Sequence, residues 1–234
     1  MPTLALPTPN TPPVSTPLRE KLLNIFVSPG EVFEEVVASS PKPASWLVPT
    51  LLVCLTAILP LLVAPASESR AAEVRQLAET GASFSSDARK LSSRLLSAAT
   101  LTVAISAVVG TFWSAFVLWF IGRVFLKTRL PLWKAMEVVG LSGMILALGA
   151  IVTALLIAAT GDAAARPALS IFAGQSNPGS KVHSGLEAMN LFHLWAATVL
   201  GVGLSKLARV SFNEAAFWVF GYWVALRVAL IGLT

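Results

Sequence analysis

Five apolar stretches, each about as long as a bilayer is thick, constrain the fold of this chain more than any other feature. They cover residues 46–64, 95–126, 133–160, 188–207 and 212–233. A helix needs about 20 apolar residues to cross a hydrocarbon core of ~30 Å, and backbone groups in lipid must be hydrogen-bonded within their own segment. The stretches therefore predict an all-α polytopic membrane protein, a bundle of five transmembrane helices.

Composition and charge agree with this class. Hydrophobic residues make up 55% of the 234 residues and charged residues only 12%, whereas about a quarter of a soluble domain is charged. The net charge of +5 is explained by Lys and Arg beside the spans, where cytoplasmic flanks collect them. No polar segment combines a basic cluster with aromatic residues, so nucleic acid is excluded as a partner. The partners expected are bilayer lipid and other membrane proteins or a second copy.

Three regions are predicted along the chain. Residues 1–17 contain many prolines and no charge, which is typical of a disordered leader. Residues 18–45 predict a cytoplasmic amphipathic helical segment, and residues 46–234 form the five-span domain. Within the second region, Ser28 and Pro29 predict a helix start, because Ser caps helices through its side chain and Pro suits the first helical position.

The helix that begins there has one apolar face, formed by Val32, Phe33, Val36 and Val37. An amphipathic helix can dock on its own protein, lie on the membrane surface or receive a partner. The glutamates on its opposite face argue against direct binding of anionic lipid. Docking on the chain's own bundle is the favoured interpretation, and the same four residues are a candidate interaction face for a partner.

The short connections between spans indicate an orientation. One carries Lys127 and Arg129, the other Lys206 and Arg209, and neither has an acidic residue between its basic ones. Short loops rich in Lys and Arg stay in the cytoplasm. The pattern predicts a cytoplasmic amino terminus and an external carboxyl terminus, and the short amino-terminal region favours a bacterial plasma membrane.

Two stretches carry a resemblance to a known family. Residues 26–35, FVSPGEVFEE, resemble the start of bacterial Yip1-domain proteins, and residues 190–195 and 201–207, NLFHLW and GVGLSKL, are similar to that family's fourth span. The first resemblance extends to Pro43, Trp46 and Pro49. The resemblance covers about residues 20–233 and implies a small polytopic membrane protein. In eukaryotic relatives it implies a trafficking factor that binds small GTPases of the Rab type and related family members.

Ionisable and polar groups near the span ends on the predicted outer side form a candidate intramembrane cluster. Its members are Asp162, Glu187, Asn190, His193 and Arg227. Such groups are costly in lipid and are often functional. We expect Arg227 to pair with Glu187 or Asp162. The cluster is interpreted either as structural pairing and snorkelling or as part of a path for a solute or proton.

Small and hydroxyl side chains recur every three or four residues in the second span, and a spaced pair of small residues lies in the third. The candidate packing residues are Ser97, Thr100, Ala104, Ala107, Thr111, Ser114, Gly143 and Ala147. Small residues allow helix backbones in membranes to approach closely. The pattern predicts either contact within the bundle or a self-association face.

The sequence lacks the usual marks of catalysis. It has no Ser/His/Asp set in a recognisable context, no phosphate-binding Gly loop and no paired intramembrane carboxylates. We therefore expect no enzyme activity, no cofactor and no metal. The leading hypothesis is a non-enzymatic membrane scaffold, adaptor or trafficking-type factor acting through protein or lipid contacts. The alternative is a small transporter or permease-like protein that uses the outer-leaflet polar cluster.

Overall fold

The computed structural model of the chain describes residues 16–64, 85–169, 185–186 and 189–233, with the backbone alone at 85–96 and 233. The helices are α1 (Leu18–Asn24), α2 (Pro29–Ala38), α3 (Ala44–Val63), α4 (Ser85–Phe120), α5 (Leu132–Thr160), α6 (Leu191–Ala208) and α7 (Phe212–Leu233). A π-helical turn, Ile121–Phe125, ends α4.

The prediction of an all-α bundle with five spans is confirmed. Within the described residues, the stretches long and apolar enough to cross a membrane are Ala44–Val63, Ser97–Phe125, Leu132–Thr160, Leu191–Ala208 and Phe212–Gly232. One boundary differs clearly, because α4 begins about ten residues before the predicted span. No Pro or Gly interrupts the chain between Ser85 and Gly110, so the helix continues from the apolar span into polar sequence.

The spans run up and down, and two of them form the centre. About half of the span residues of α5 and α6 are buried, 44% and 50%, against 11% for α4 and α7. The core between them contains Leu141, Ile145, Val199 and Leu204. We call the end at which α3, α5 and α7 begin the platform end, and the opposite end, where Ala168 bridges to Asn190, the distal end.

Glycines set the closest contacts between helices. A Cβ added at Gly140 of α5 would lie 2.6 Å from the Cα of Trp46 in α3, which is closer than real Cβ atoms come. A Cβ at Gly149 would lie 2.8 Å from the Phe192 side chain of α6. The two central helices and α3 can therefore pack only if these positions carry no side chain, as expected for helices in lipid.

The small-residue stripe of α4 lies on its half-buried face. Thr100, Ala104, Ala107, Thr111 and Ser114 are all half-buried, whereas Ser97 is exposed. The Cys54 thiol of α3 donates to the carbonyl of Ala104 across 3.7 Å, so part of this face meets α3. The hydroxyl of Thr111 donates to Ala107 within its own helix.

The pair predicted in the third span also lies inside the bundle. Ala147 is buried. A Cβ added at Gly143 would lie 3.2 Å from Cγ2 of Val53 in α3. These contacts favour packing within one chain for this pair, and a self-association role for the α4 stripe stays a prediction.

The expected start of α2 is confirmed at Pro29, but the expected cap is wrong. Ser28 makes no side-chain capping hydrogen bond, and its backbone has φ −129° and ψ 59° rather than the β-region backbone usual at this position. Its carbonyl still accepts the Val32 N–H. By contrast, the Ser211 hydroxyl accepts the N–H of Glu214 at 3.3 Å at the start of α7.

Candidate functional sites

Residues 16–43, which include α1 and α2, lie across the platform end of the bundle, and we call them the platform. Their inner side is fully buried: Phe33 and Ile25 have no exposed surface, and Val32 and Val36 have 4% and 1%. The Phe33 ring lies against Gly203 of α6, where an added Cβ would be 3.2 Å from the ring.

The candidate interaction face of α2 is therefore occupied. Val32, Phe33 and Val36 are covered by the chain's own helices, and Val37 is half-buried. A partner could reach this face only if α2 left the bundle. Docking on the chain itself is the arrangement that the structure contains.

An ion pair between the buried Lys21 and the half-buried Glu35 holds α1 to α2. The ammonium of Lys21, a residue only 3% exposed, lies 3.0 Å from Oε1 of Glu35, which also accepts the Thr16 N–H at 2.9 Å. Burial by itself raises the pKa of Glu35, but the hydrogen bonds from Thr16 and Lys21 and the Lys21 charge outweigh it and lower that pKa. The carboxylate is thus stabilised in its charged form.

A second pair, buried at both ends, joins the platform to α5. Lys134 donates to Oε2 of Glu137 at 2.8 Å and to the backbone carbonyl of Val36 near the end of α2. The other oxygen of Glu137 accepts the N–H of Lys42, in the linker to α3, at 2.8 Å. Lys134 and Glu137 are 6% and 2% exposed. A cation near the carboxyl end of a helix is favoured by the exposed carbonyls there.

Neither Lys134 nor Glu137 is among the site residues predicted from the sequence. The two residues are three positions apart, a spacing that puts both on one side of a helix. This spacing was the available signal in the sequence. Their bonds to Val36 and Lys42 join residues 95 or more positions apart, which no local pattern reveals. A third pair, between Lys206 of α6 and Glu34, lies at the surface of the platform.

The outer side of the platform has a different character. Leu23 and Val27 are 68% and 84% exposed. Glu20 of α1 and Glu31 of α2 are also exposed, as are Arg19 and Lys42. The platform therefore presents two apolar side chains and charges of both signs, on a segment whose inner side is fixed.

At the distal end, the structure brings together two of the five predicted cluster residues. Nη2 of Arg227 lies 3.4 Å from Nδ1 of His193, and the guanidinium lies 5.6 Å from the centre of the Trp223 ring. Arginine is only a donor, so Nδ1 of His193 is the acceptor in this contact.

The other predicted members do not join this pair. Asp162 is exposed and accepts the Ala164 N–H at 2.8 Å in its own turn, so the expected pairing of Arg227 with Asp162 is not formed. The Asn190 side chain accepts the N–H of Phe192 at 2.9 Å and caps α6. Glu187 lies outside the described residues.

A cleft opens beside the Arg227–His193 pair, between α4 and α7, with α6 forming its inner wall at this pair. A cavity of about 190 Å³ reaches Arg227 and His193, and a groove of about 510 Å³ continues from it toward the platform end. The two spaces share four lining residues: Trp113, Val117, Ile121 and Tyr222.

Aromatic contacts cross this cleft. Nε1 of Trp113 in α4 donates to the Tyr222 hydroxyl in α7 at 2.6 Å. Nearer the platform end, the rings of Phe125 and Trp218 stack with their centres 4.1 Å apart. The two helices are thus connected through side chains with space between their backbones.

One family model, described as the Yip1 domain, matches residues 23–234. No curated protein and no solved structure significantly matches the chain.

Proposed function

Because the chain belongs to the Yip1 domain family and carries five membrane-spanning helices, we propose that it is a non-enzymatic membrane scaffold or adaptor. In this proposal the platform is its protein-binding surface. The observation that carries the proposal is the contrast between the two sides of one segment. Phe33 is completely buried, whereas Val27, six residues earlier, is 84% exposed.

The contacts of the platform support a rigid surface. Lys21, Lys134 and Lys206 each contact a glutamate. Lys134 of α5 also donates to the Val36 carbonyl of the platform, and Lys206 joins α6 to Glu34 of the platform. Apolar groups fixed on a rigid surface bind at a lower entropy cost than groups on a mobile tail. Leu23 and Val27 provide such groups.

The geometry supports an adaptor better than a transporter. Asp162 and Asn190 form local hydrogen bonds. Between the Lys134–Glu137 pair at one end and Arg227 at the other, the bundle centre is filled by the apolar core. The buried hydroxyls of Ser142 and Thr153 in α5 donate to carbonyls of their own helix, so they do not supply a continuous polar path through the described bundle.

The orientation that we propose places the platform in the cytoplasm of a bacterial cell. Four basic side chains in or next to the short connections between spans are exposed at the platform end: Arg123, Lys127, Arg129 and Arg209. An excess of Lys and Arg in short loops is typical of cytoplasmic flanks.

In-cell photo-crosslinking tests the adaptor function. A photoreactive phenylalanine at Val27 should yield an adduct with another membrane-associated protein, identified by mass spectrometry after solubilisation. The same amino acid at Phe33 is the matched control, because that position touches only the chain itself and should yield intrachain products. Adducts of position 27 with lipid alone, or with nothing, would overturn the proposal.

A further inference from the structure

Arg227 is a permanent cation at membrane depth. It lies six residues before the end of α7, about 9 Å along the helix axis. His193 accepts one of its hydrogen bonds but supplies no negative charge. In the part of the chain that the structure describes, no carboxylate forms an ion pair with Arg227.

The space beside Arg227 is apolar and has the length of one leaflet. The cleft is lined along α7 from Phe217 to Arg227, a distance of about 15 Å at 1.5 Å per residue. Half of a hydrocarbon core of ~30 Å is also about 15 Å. The remaining walls are largely aromatic and aliphatic side chains of α4 and, beside Arg227, side chains of α6.

The cleft is too narrow at one point for a helix. The bond between Trp113 and Tyr222 joins α4 to α7 across the cleft at 2.6 Å, so a helix, which is about 10–12 Å in diameter with its side chains, could not enter without breaking it. A single hydrocarbon chain can lie along the groove beside this bond without separating α4 from α7. An anionic headgroup at its distal end would neutralise Arg227 through charge-assisted hydrogen bonds.

We propose that this cleft binds an anionic phospholipid, with one acyl chain in the groove and the headgroup phosphate at Arg227. The inference goes beyond the adaptor function and does not depend on it, since the platform is at the opposite end of the bundle. His193 orients the guanidinium, and Trp223 packs beside it.

The test uses the full chain in vesicles of neutral phospholipid that contain a few per cent of phosphatidylglycerol with a photoreactive acyl chain. After illumination, adducts should map to α4 and α7 residues that line the cleft. Phosphatidylcholine with the same photoreactive chain should label these residues less. Arg227→Gln should reduce phosphatidylglycerol labelling about tenfold, the loss expected for one charge-assisted interaction, and Arg227→Lys should retain most of it.

Filling the groove gives an independent variant. Gly221 lines the groove, and a Cβ added there meets nothing within 4 Å, so Gly221→Leu should fold and exclude the acyl chain. Gly110→Leu is the matched control, since that glycine is equally open but does not line the cleft. Equal labelling by both lipids, or undiminished labelling of Gly221→Leu, would overturn the proposal. Stronger labelling by a photoreactive free fatty acid would also overturn it, because a carboxylate would then be the preferred ligand.

Discussion

Lys134 and Glu137 form an ion pair of 2.8 Å that is buried at both ends. The pair is part of α5, yet each partner also bonds to the backbone of the amino-terminal region, at Val36 and at Lys42. The spans and the platform are thus joined by two buried charges. Buried pairs of this kind are costly to break, because removal of one partner leaves the other charged and unsolvated.

The first prediction concerns this pair. Lys134→Met should leave the Glu137 carboxylate buried without its cation and the Val36 carbonyl without a donor. We expect a loss of about 3–5 kcal/mol in the free energy of unfolding. The loss is measured as a lower melting temperature in mild detergent. The double variant Lys134→Met/Glu137→Met should recover part of it, because it leaves no buried charge.

The pair between Lys206 and Glu34 supplies the control for that experiment. Its side chains are 37% and 63% exposed, and exposed ion pairs contribute little to stability. Lys206→Met should therefore leave the melting temperature almost unchanged. Equal effects of the two lysine substitutions would show that the buried network does not hold the platform.

A second prediction tests the contact between α3 and α5. Gly140→Ala places a methyl group 2.6 Å from the Cα of Trp46, and backbone atoms cannot move aside as a flexible side chain can. We expect a destabilisation of about 1–3 kcal/mol or more, as in other overpacked cores. The measurement is the melting temperature of the purified protein together with its yield of monodisperse material.

The same substitution at Gly110 separates steric conflict from helix propensity. An added Cβ there meets nothing within 4 Å, and Ala is favoured over Gly in a helix by about 0.5–1 kcal/mol. Gly110→Ala should therefore be neutral or slightly stabilising. A loss of stability at Gly110 as large as that at Gly140 would contradict the close approach to Trp46.

The sequence predicts the five spans because bilayer thickness imposes a length and a composition that can be read locally. The start of α2 is also predictable from local sequence, since Pro29 suits the first helical position. What covers Phe33 of α2 was not predictable in this way. An amphipathic face shows that something covers it, and only the packing of Phe33 against Gly203 shows that the cover is the chain's own α6.

The site residues were predictable only in part, because their contacts join distant helices. His193 and Arg227 were both selected for their cost in lipid, but their contact spans 34 positions, and Arg227 was expected to meet a carboxylate. The cleft depends on the separation of α4 from α7, which no single helix specifies. Ser28 and Ser211 illustrate the limit at short range, since the same residue type caps one helix and not the other.

A third prediction tests the orientation with single cysteines. The one native cysteine, Cys54, is buried, so Cys54→Ala gives a background with no reactive thiol. Asn213 is exposed at the platform end and Asp162 at the distal end. In intact cells, a membrane-impermeant maleimide should label Asp162→Cys and not Asn213→Cys, and both should react after lysis. The reverse pattern would place the platform outside the cytoplasm.

The fourth prediction follows from the lowered pKa of Glu35. A carboxyl group with a lower pKa in the folded state contributes stability above its unfolded pKa, near 4.5, and loses that contribution as the pH falls through the folded value. At neutral pH, Glu35→Gln should therefore melt at a lower temperature than the wild type, because Lys21 loses a charged partner while it remains buried. The difference between the two proteins should persist down to about pH 4.5 and close below it.

Melting temperatures across pH 3 to 7 measure this difference directly, with both proteins in the same detergent. Glu31→Gln is the matched control, because Glu31 lies on the same helix and is exposed. Its melting curve should follow the wild type at every pH. A gap between wild type and Glu35→Gln that stays constant below pH 4 would mean that Glu35 stabilises the platform by its shape and hydrogen bonds and not by its charge.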